Sequence, residues 1–267
     1  MKEIVLLDGE TKVAKTAISE GIKQTLGARG PVVAGDAGQV FRRFTSLVSH
    51  EIGDKPFPRE ERLDKVLGAV IKSGLALDDT YAFGDLERPV IRENVSQVGE
   101  RDIAQDAAET WFEDMADLAW EKDASLLLNA RNPRARLAGW LGERGLSPTV
   151  EFYLQCGPDV AAHRMLRGNG NTAPSPTELM AARTQIVGRR QLDRQRARNP
   201  FVEPAHVVPF VPGVTSAGEV VAASWDAPAE IAPYYIGFDT TPMPKDEMLD
   251  YAEQIVAAAL PSLVEWR

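Results

Sequence analysis

The chain has 267 residues, a hydrophobic fraction of 44% and a formal net charge of −9. That length and apolar content suffice for one large domain with a sizeable core, and the acidic balance argues against a broad nucleic-acid-binding surface. A single cysteine, Cys156, and three scattered histidines, His50, His163 and His206, exclude an intrachain disulfide and any multi-cysteine or histidine-spaced zinc site.

No apolar run approaches membrane-spanning length, and Met1 leads straight into a strand with no signal pattern. A soluble, reducing, cytoplasmic setting is therefore expected. Glu3 to Leu7 is short and strongly apolar, the pattern of a buried parallel strand. Asp8 to Thr16 (DGETKVAKT) follows, and Lys15 to Leu26 then carries Ile18, Ile22 and Leu26 at helical spacing. Strand, glycine turn, Lys-Thr and helix is the context of a phosphate-binding loop. In such a loop backbone N–H groups and the positive helix end hold phosphates, a lysine adds charge, and a hydroxyl reaches Mg²⁺. The pattern G-x-x-x-x-G-K-[ST] is matched except that Ala14 stands at the second glycine. If that position needs positive φ, alanine costs roughly 1 kcal/mol or more. The alternative is an ordinary βα turn with an exposed lysine.

Gly30 to Ala34 reads as a second strand, followed by the turn Gly35 to Gly38 and a helix from about Gln39 to His50. Asp36 is the expected cap, and Arg42 and Arg43 lie on the first turns of that helix. Glu60 to Ser73 is a helix with Leu63, Val66, Leu67, Val70 and Ile71 as its apolar face. Thr80 to Phe83 and Pro89 to Ile91, around Gly84-Asp85, read as a small hairpin. Ala104 to Glu121 is a long amphipathic helix whose Trp111, Phe112, Met115, Leu118 and Trp120 read as core.

Ala124 to Asn129 is the third strand and Pro148 to Leu154 the fourth. Two helices follow, Pro158 to Arg167 and Thr177 to Arg198, separated by the turn-rich Gly168 to Pro176, with Ser175 or Thr177 as cap. Asn199 to Ile231 is rich in Pro and Val and holds several short strand-like runs. Tyr234 to Phe238 is a last strand, and Thr240-Thr241 and Lys245 to Leu260 form a closing turn and helix. Of the 9 lysines none lies between Lys122 and Lys245, and from His163 to Pro200 all positive charge is arginine. Arginine grips phosphate in two places. One arginine-dense segment in an acidic chain suggests a small anionic ligand, and two helices flanking a mobile loop suggest a lid. A solvated helix face is the plainer alternative.

These residues together resemble cytidylate kinase and the wider nucleoside monophosphate kinase group. The resemblance rests on LDG (Leu7 to Gly9) with the phosphate loop, GDAGQVFRR (Gly35 to Arg43), VSQV (Val95 to Val98) and LLNARN (Leu127 to Asn132). It continues through VEFYLQCGPDVAAHRM (Val150 to Met165), RRQLDRQR (Arg189 to Arg196) and FDTT (Phe238 to Thr241). It implies a P-loop kinase three-layer α/β/α fold with a central parallel sheet, a helical acceptor-binding region and an Arg-rich lid. As one domain, the core would be 1–36, 122–165 and 234–267, the acceptor-binding region 37–121, the lid 166–198, and an insertion 205–233.

The same resemblance implies ATP and Mg²⁺ as cofactors and a nucleotide-sized anion as partner, with no membrane. The ATP-binding loop would be Asp8, Gly9, Glu10, Thr11, Lys12, Val13, Ala14, Lys15 and Thr16, with Thr16 and Asp8 at the metal. Arg42, Ser96, Arg131, Arg189, Asp193 and Arg196 would form the acceptor site. Lys15, Arg131, Arg164 and Arg167 would be catalytic, the last two reaching the transferring phosphoryl group from the lid. The implied activity is phosphoryl transfer to CMP, dCMP or a modified nucleotide. The chain departs from the family at Ala14, Ala17, Ala37, Asn132 and Ala161. Those departures suggest a changed acceptor (another small hydroxyl or a nucleobase group) or an inactive nucleotide-binding protein of the same fold.

Overall fold

The computed structural model describes residues 3–10, 13–53, 55–72, 89–195, 207–209 and 235–241. Its strands are β1 (Ile4–Gly9), β2 (Val32–Asp36), β3 (Ser125–Asn129), β4 (Val150–Gln155), β5 (Val207–Pro209) and β6 (Tyr235–Asp239). They form one sheet in the order β2-β3-β1-β4-β6-β5. β1 pairs in parallel with β3 and β4, and β6 in parallel with β4 and β5. Every residue of β1 and β3 is buried, as expected of central parallel strands covered on both faces. The fold is α/β, a parallel sheet flanked by helices, in the layering expected of a P-loop kinase-like chain.

The described helices are α1 (Lys15–Gly27), α2 (Ala37–Ile52), α3 (Glu60–Lys72), α4 (Pro89–Gly99) and α5 (Asp102–Glu121). After β3 come α6 (Pro133–Arg136) and α7 (Ala138–Glu143), and after β4 come α8 (Pro158–Gly168) and α9 (Pro176–Arg194). The chain divides into two compact units, Met1–Ala34 with Ala116–Arg267, and Gly35–Met115.

In the first unit the core joins Val5 and Leu7 of β1, Ile18, Ile22 and Leu26 of α1, Phe152 and Leu154 of β4, Ala161 of α8 and Ile186 of α9. The helical spacing predicted for α1 is thus the spacing of its buried face. Ser175 caps α9 in a capping box with Glu178. In the second unit Val40, Phe44, Leu47 and Val48 of α2 pack with Leu63, Leu67 and Val70 of α3 and with Val98, Ala104 and Ala108. Asp36 caps α2, accepting from the N–H groups of Gly38 (2.7 Å) and Gln39 (3.3 Å).

Two segments depart from expectation. Pro89 to Ile91 opens the helix α4 rather than closing a hairpin. Proline suits a first helical turn, and Ile91 and Val98, seven residues apart, are both buried. In α5 Trp120, expected in the core, is exposed, and the buried face is instead Ala104, Ala108, Phe112, Ala116 and Ala119, small residues that let the helix pack closely. After Asn132 the chain forms α6 and α7, burying Leu137, Trp140 and Leu141. Within the expected insertion at 205–233, Val207–Pro209 forms β5 beside β6. The rest of that insertion, residues 80–88 of the expected hairpin and the closing helix at 245–260 lie outside the described residues.

Candidate functional site

The chain leaves β1 toward β2 on one side of the sheet and leaves β4 toward β5 and then β6 on the other. The carboxyl ends of β1 and β4 therefore flank a point where the direction of winding reverses, the usual position of a ligand crevice in such sheets. Gly9 ends β1 with φ 149°, and a Cβ there would lie 2.6 Å from the carbonyl oxygen of Leu154. No other residue type fits that approach between β1 and β4. The Glu10 N–H extends the pairing by donating to the same Leu154 oxygen at 2.9 Å.

Ala14 takes φ 67°, ψ 28°, the left-handed conformation that glycine would adopt there freely. It immediately precedes α1, whose start has no side-chain cap and no acidic residue in the first turn. An N-terminus of this kind presents backbone N–H donors and the positive end of the helix dipole together. Lys15 Nζ bends back onto the loop, donating to the carbonyl oxygens of Gly9 (2.5 Å) and Glu10 (3.0 Å). Thr16 is exposed on the same turn, whereas Val13 is buried in the core.

Asp8 is buried beneath this loop. Its carboxylate accepts from the N–H groups of Gly9 (2.6 Å) and Asn132 (3.1 Å). Burial pushes its pKa up to about 6, against the opposing charges of Lys15 and Arg131 and the two backbone hydrogen bonds. Asn132 itself is left-handed, at φ 48°, and its side chain caps α6 by accepting from Ala135 N–H at 3.3 Å. Asparagine tolerates that conformation and favours that cap, so a local structural reason accounts for its presence beside Arg131.

Arg131, just past the end of β3, donates to Asp193 Oδ2 at 2.8 Å, and Arg189 Nε lies 3.3 Å from Asp193 Oδ1. Asp193 is wholly buried. Arg136 braces the turn by donating from Nε to the Arg131 carbonyl at 3.1 Å. Of the predicted acceptor residues, the fold thus brings Arg131, Arg189 and Asp193 into direct contact. Arg42 on α2 and Ser96 on α4 belong to the second unit, both half-buried. Thr11, Lys12 and Arg196 lie outside the described residues.

The neighbouring ridge of α9 makes a second charged cluster. Arg190 Nη1 is 3.0 Å from Glu10 Oε2, and Arg194 Nη2 is 3.3 Å from Glu10 Oε1. Arg190 also donates to Cys156 Sγ at 3.7 Å. Burial raises the Cys156 thiol above its ordinary range, opposed by the nearby charges of Arg164 and Arg190. Arg164 of α8 donates to the Thr240 hydroxyl (2.9 Å) and carbonyl (2.7 Å) at the end of β6. Thr241 accepts from the Gly157 N–H at 2.6 Å, fastening that end to the start of α8. Arg167 is exposed at the end of α8. The partnership of Glu10 with Arg190 and Arg194 is not predicted from the sequence. The available signal is spacing: 189 with 193 and 190 with 194 are (i, i+4) pairs, each pair sharing a helix face.

Lys15, Arg131, Arg164, Arg189, Arg190 and Arg194 thus gather with Asp8, Glu10 and Asp193 at the carboxyl edge of the sheet. In a chain of net charge −9, this is a local excess of positive charge. Among the described residues no group of three or more His, Cys, Asp and Glu side chains could hold a metal ion, and no helix is long and apolar enough to cross a membrane.

No protein-family model matches the chain, and no curated protein matches it. Among solved structures it is similar to one described as a "putative kinase" from Chloroflexus aurantiacus J-10-fl, at 15% identity over 97% of each chain, with a TM-score of 0.41.

Proposed function

We propose that the chain is an ATP-dependent phosphotransferase whose acceptor is a nucleotide-sized anion. The observation that carries this reading is the uncapped start of α1, entered through a left-handed residue and furnished with Lys15, beside the Arg131–Asp193–Arg189 cluster. The donor phosphates would lie against the α1 N–H groups, with Lys15 exchanging the carbonyls of Gly9 and Glu10 for phosphate oxygens. The exposed Thr16 hydroxyl suits a Mg²⁺ held chiefly by those phosphates. Asp8, committed to the N–H groups of Gly9 and Asn132, would act by holding the loop. Arg131 and Arg189, positioned by Asp193, would grip the acceptor phosphate. Phosphoryl transfer needs this positioning and charge stabilisation and no covalent nucleophile.

The test is ADP release with Mg²⁺ and ATP over a panel of acceptors: CMP, dCMP, base-modified nucleotides and small alcohols. Lys15→Ala should lower the rate by about 10²-fold or more. Arg131→Ala and Arg189→Ala should weaken acceptor binding by roughly 1.5–3 kcal/mol, with much less effect on ATP. No turnover with any acceptor, together with calorimetric ATP binding that Lys15→Ala abolishes, would favour the second reading, a nucleotide-binding protein without turnover. That reading is motivated by the carboxylate of Glu10 standing inside the phosphate loop. Absence of both turnover and ATP binding would remove both readings.

A further inference from the structure

The feature that the proposed activity leaves unexplained is Glu10. A phosphate-binding loop works by offering positive charge, yet this one carries a carboxylate. Glu10 is 6% exposed, and its backbone is pinned to β4 by the hydrogen bond to Leu154. Its side chain reaches α9 and takes two guanidinium groups, Arg190 at 3.0 Å and Arg194 at 3.3 Å, one on each oxygen. That is the geometry in which two arginines would hold two oxygens of a phosphate. The carbonyl of the same residue accepts from Lys15 Nζ. One residue of the loop thus engages three cations at the start of α1 and the end of α9.

We propose that Glu10 is an internal competitor for the anion, a carboxylate standing in for a phosphate on Arg190 and Arg194. An incoming polyphosphate must displace it to reach those guanidiniums, so Glu10 sets the affinity of the site and its preference for highly charged ligands. A polyphosphate brings several oxygens against one carboxylate and wins the exchange. Inorganic phosphate, with fewer oxygens, wins it less often. Displacement leaves Glu10 next to the ligand, which raises the cost of binding without abolishing it. This inference rests on the loop's being an anion site, as the proposed function has it.

The experiment compares the parent chain with Glu10→Gln, which keeps shape and hydrogen bonding but removes the charge. The probes are inorganic tripolyphosphate and inorganic phosphate, followed by calorimetry at two salt concentrations. Competition predicts that Glu10→Gln binds tripolyphosphate about tenfold more tightly than the parent. It also predicts that the gap between tripolyphosphate and phosphate narrows in the variant. A folded Glu10→Gln that binds tripolyphosphate no better than a parent that does bind it would overturn the competition and leave the proposed function standing. If neither protein bound either probe, both would fall. Should Glu10→Gln not fold, the parent alone decides the matter. On addition of tripolyphosphate the side-chain Nε–H resonances of Arg190 and Arg194 should shift together. Binding that leaves both resonances unmoved would overturn the proposal.

Discussion

At the scale of single residues, the loop after β1 holds two small residues with opposite constraints. Gly9 cannot gain a side chain, because its Cβ would stand 2.6 Å from the Leu154 carbonyl oxygen and 2.8 Å from the Leu154 Cβ, both part of the packed strand β4. Ala14 already has its Cβ in a backbone conformation that favours glycine, at φ 67°. The same chemical change in reverse therefore has opposite signs. Ala14→Gly relieves left-handed strain and should stabilise the protein by about 0.5–1 kcal/mol. Gly9→Ala forces β1 and β4 apart and should cost roughly 2 kcal/mol or more. Urea midpoints of the two variants check both signs, and a destabilised Ala14→Gly would mean that the alanine methyl packs usefully enough to outweigh its strain.

At the scale of elements, α9 is tied to the loop after β1 by two arginines of unlike environment. Arg190 is buried against a buried carboxylate, whereas Arg194, 47% exposed at its side chain, meets the same carboxylate from the rim. Arg190→Ala removes the buried partner and leaves Glu10 with only the rim contact to Arg194, so it should cost about 2 kcal/mol. Arg194→Ala leaves Glu10 paired and should cost less than about 1 kcal/mol. Denaturation midpoints of the two variants would separate these cases, and equal losses would contradict the assigned burial. The elements that the sequence makes legible are those whose apolar residues follow one period. β1 and β3 are continuous apolar runs, β4 is apolar but for Glu151, and α1 and α3 show helical spacing. α5 is a helix as expected, but its buried face is Phe112 with alanines. α4 is not legible because Pro-Val-Ile suits a strand equally well and only the distance from Ile91 to Val98 tells otherwise. α6 and α7 are too short to display a period. Within the site, Gly9 and Lys15 are legible from the loop motif, whereas the grouping of Arg131 with Arg189 and Asp193 is expected only through the family resemblance. The pairing of Glu10 with Arg190 and Arg194 is not, because it joins positions about 180 residues apart in sequence, and no local pattern encodes a long-range ion pair.

At the scale of the whole molecule, the buried carboxylates decide how stability responds to pH. Glu151 of β4 is buried, with the half-exposed Arg134 as an ion-pair partner at 3.4 Å. Burial first, with a smaller contribution from the charge of Asp8, pushes its pKa up to about 7, and Arg134 opposes this only in part. Asp8, on the neighbouring strand, stands at about 6. A carboxyl whose pKa is higher in the folded chain than in the unfolded chain binds more protons when folded. Its contribution is then fully present below the unfolded pKa and is lost as pH rises through the folded value. For Glu151 the window runs from about 4.5 to about 7, and for Asp8 from about 3.8 to about 6. Between pH 5 and pH 8 the two should together remove roughly 3–4 kcal/mol, most of it through Glu151, a large share of the stability of an ordinary domain. The net charge of −9 at pH 7 adds self-repulsion of the same sign. The protein should therefore be more stable at pH 5 than at pH 8, and Glu151→Gln, neutral at both, should lose about 2–3 kcal/mol less across that interval. Urea unfolding of parent and variant at the two pH values measures this, and the slopes would coincide if Glu151 titrated like an exposed glutamate. The phosphate loop feels the same titration through Asp8, because its protonation removes a negative charge that faces Lys15 and Arg131. Anion binding at the start of α1 should therefore gain affinity as pH falls through about 6, in the same direction as the gain in stability, which tripolyphosphate calorimetry at pH 5 and pH 8 checks.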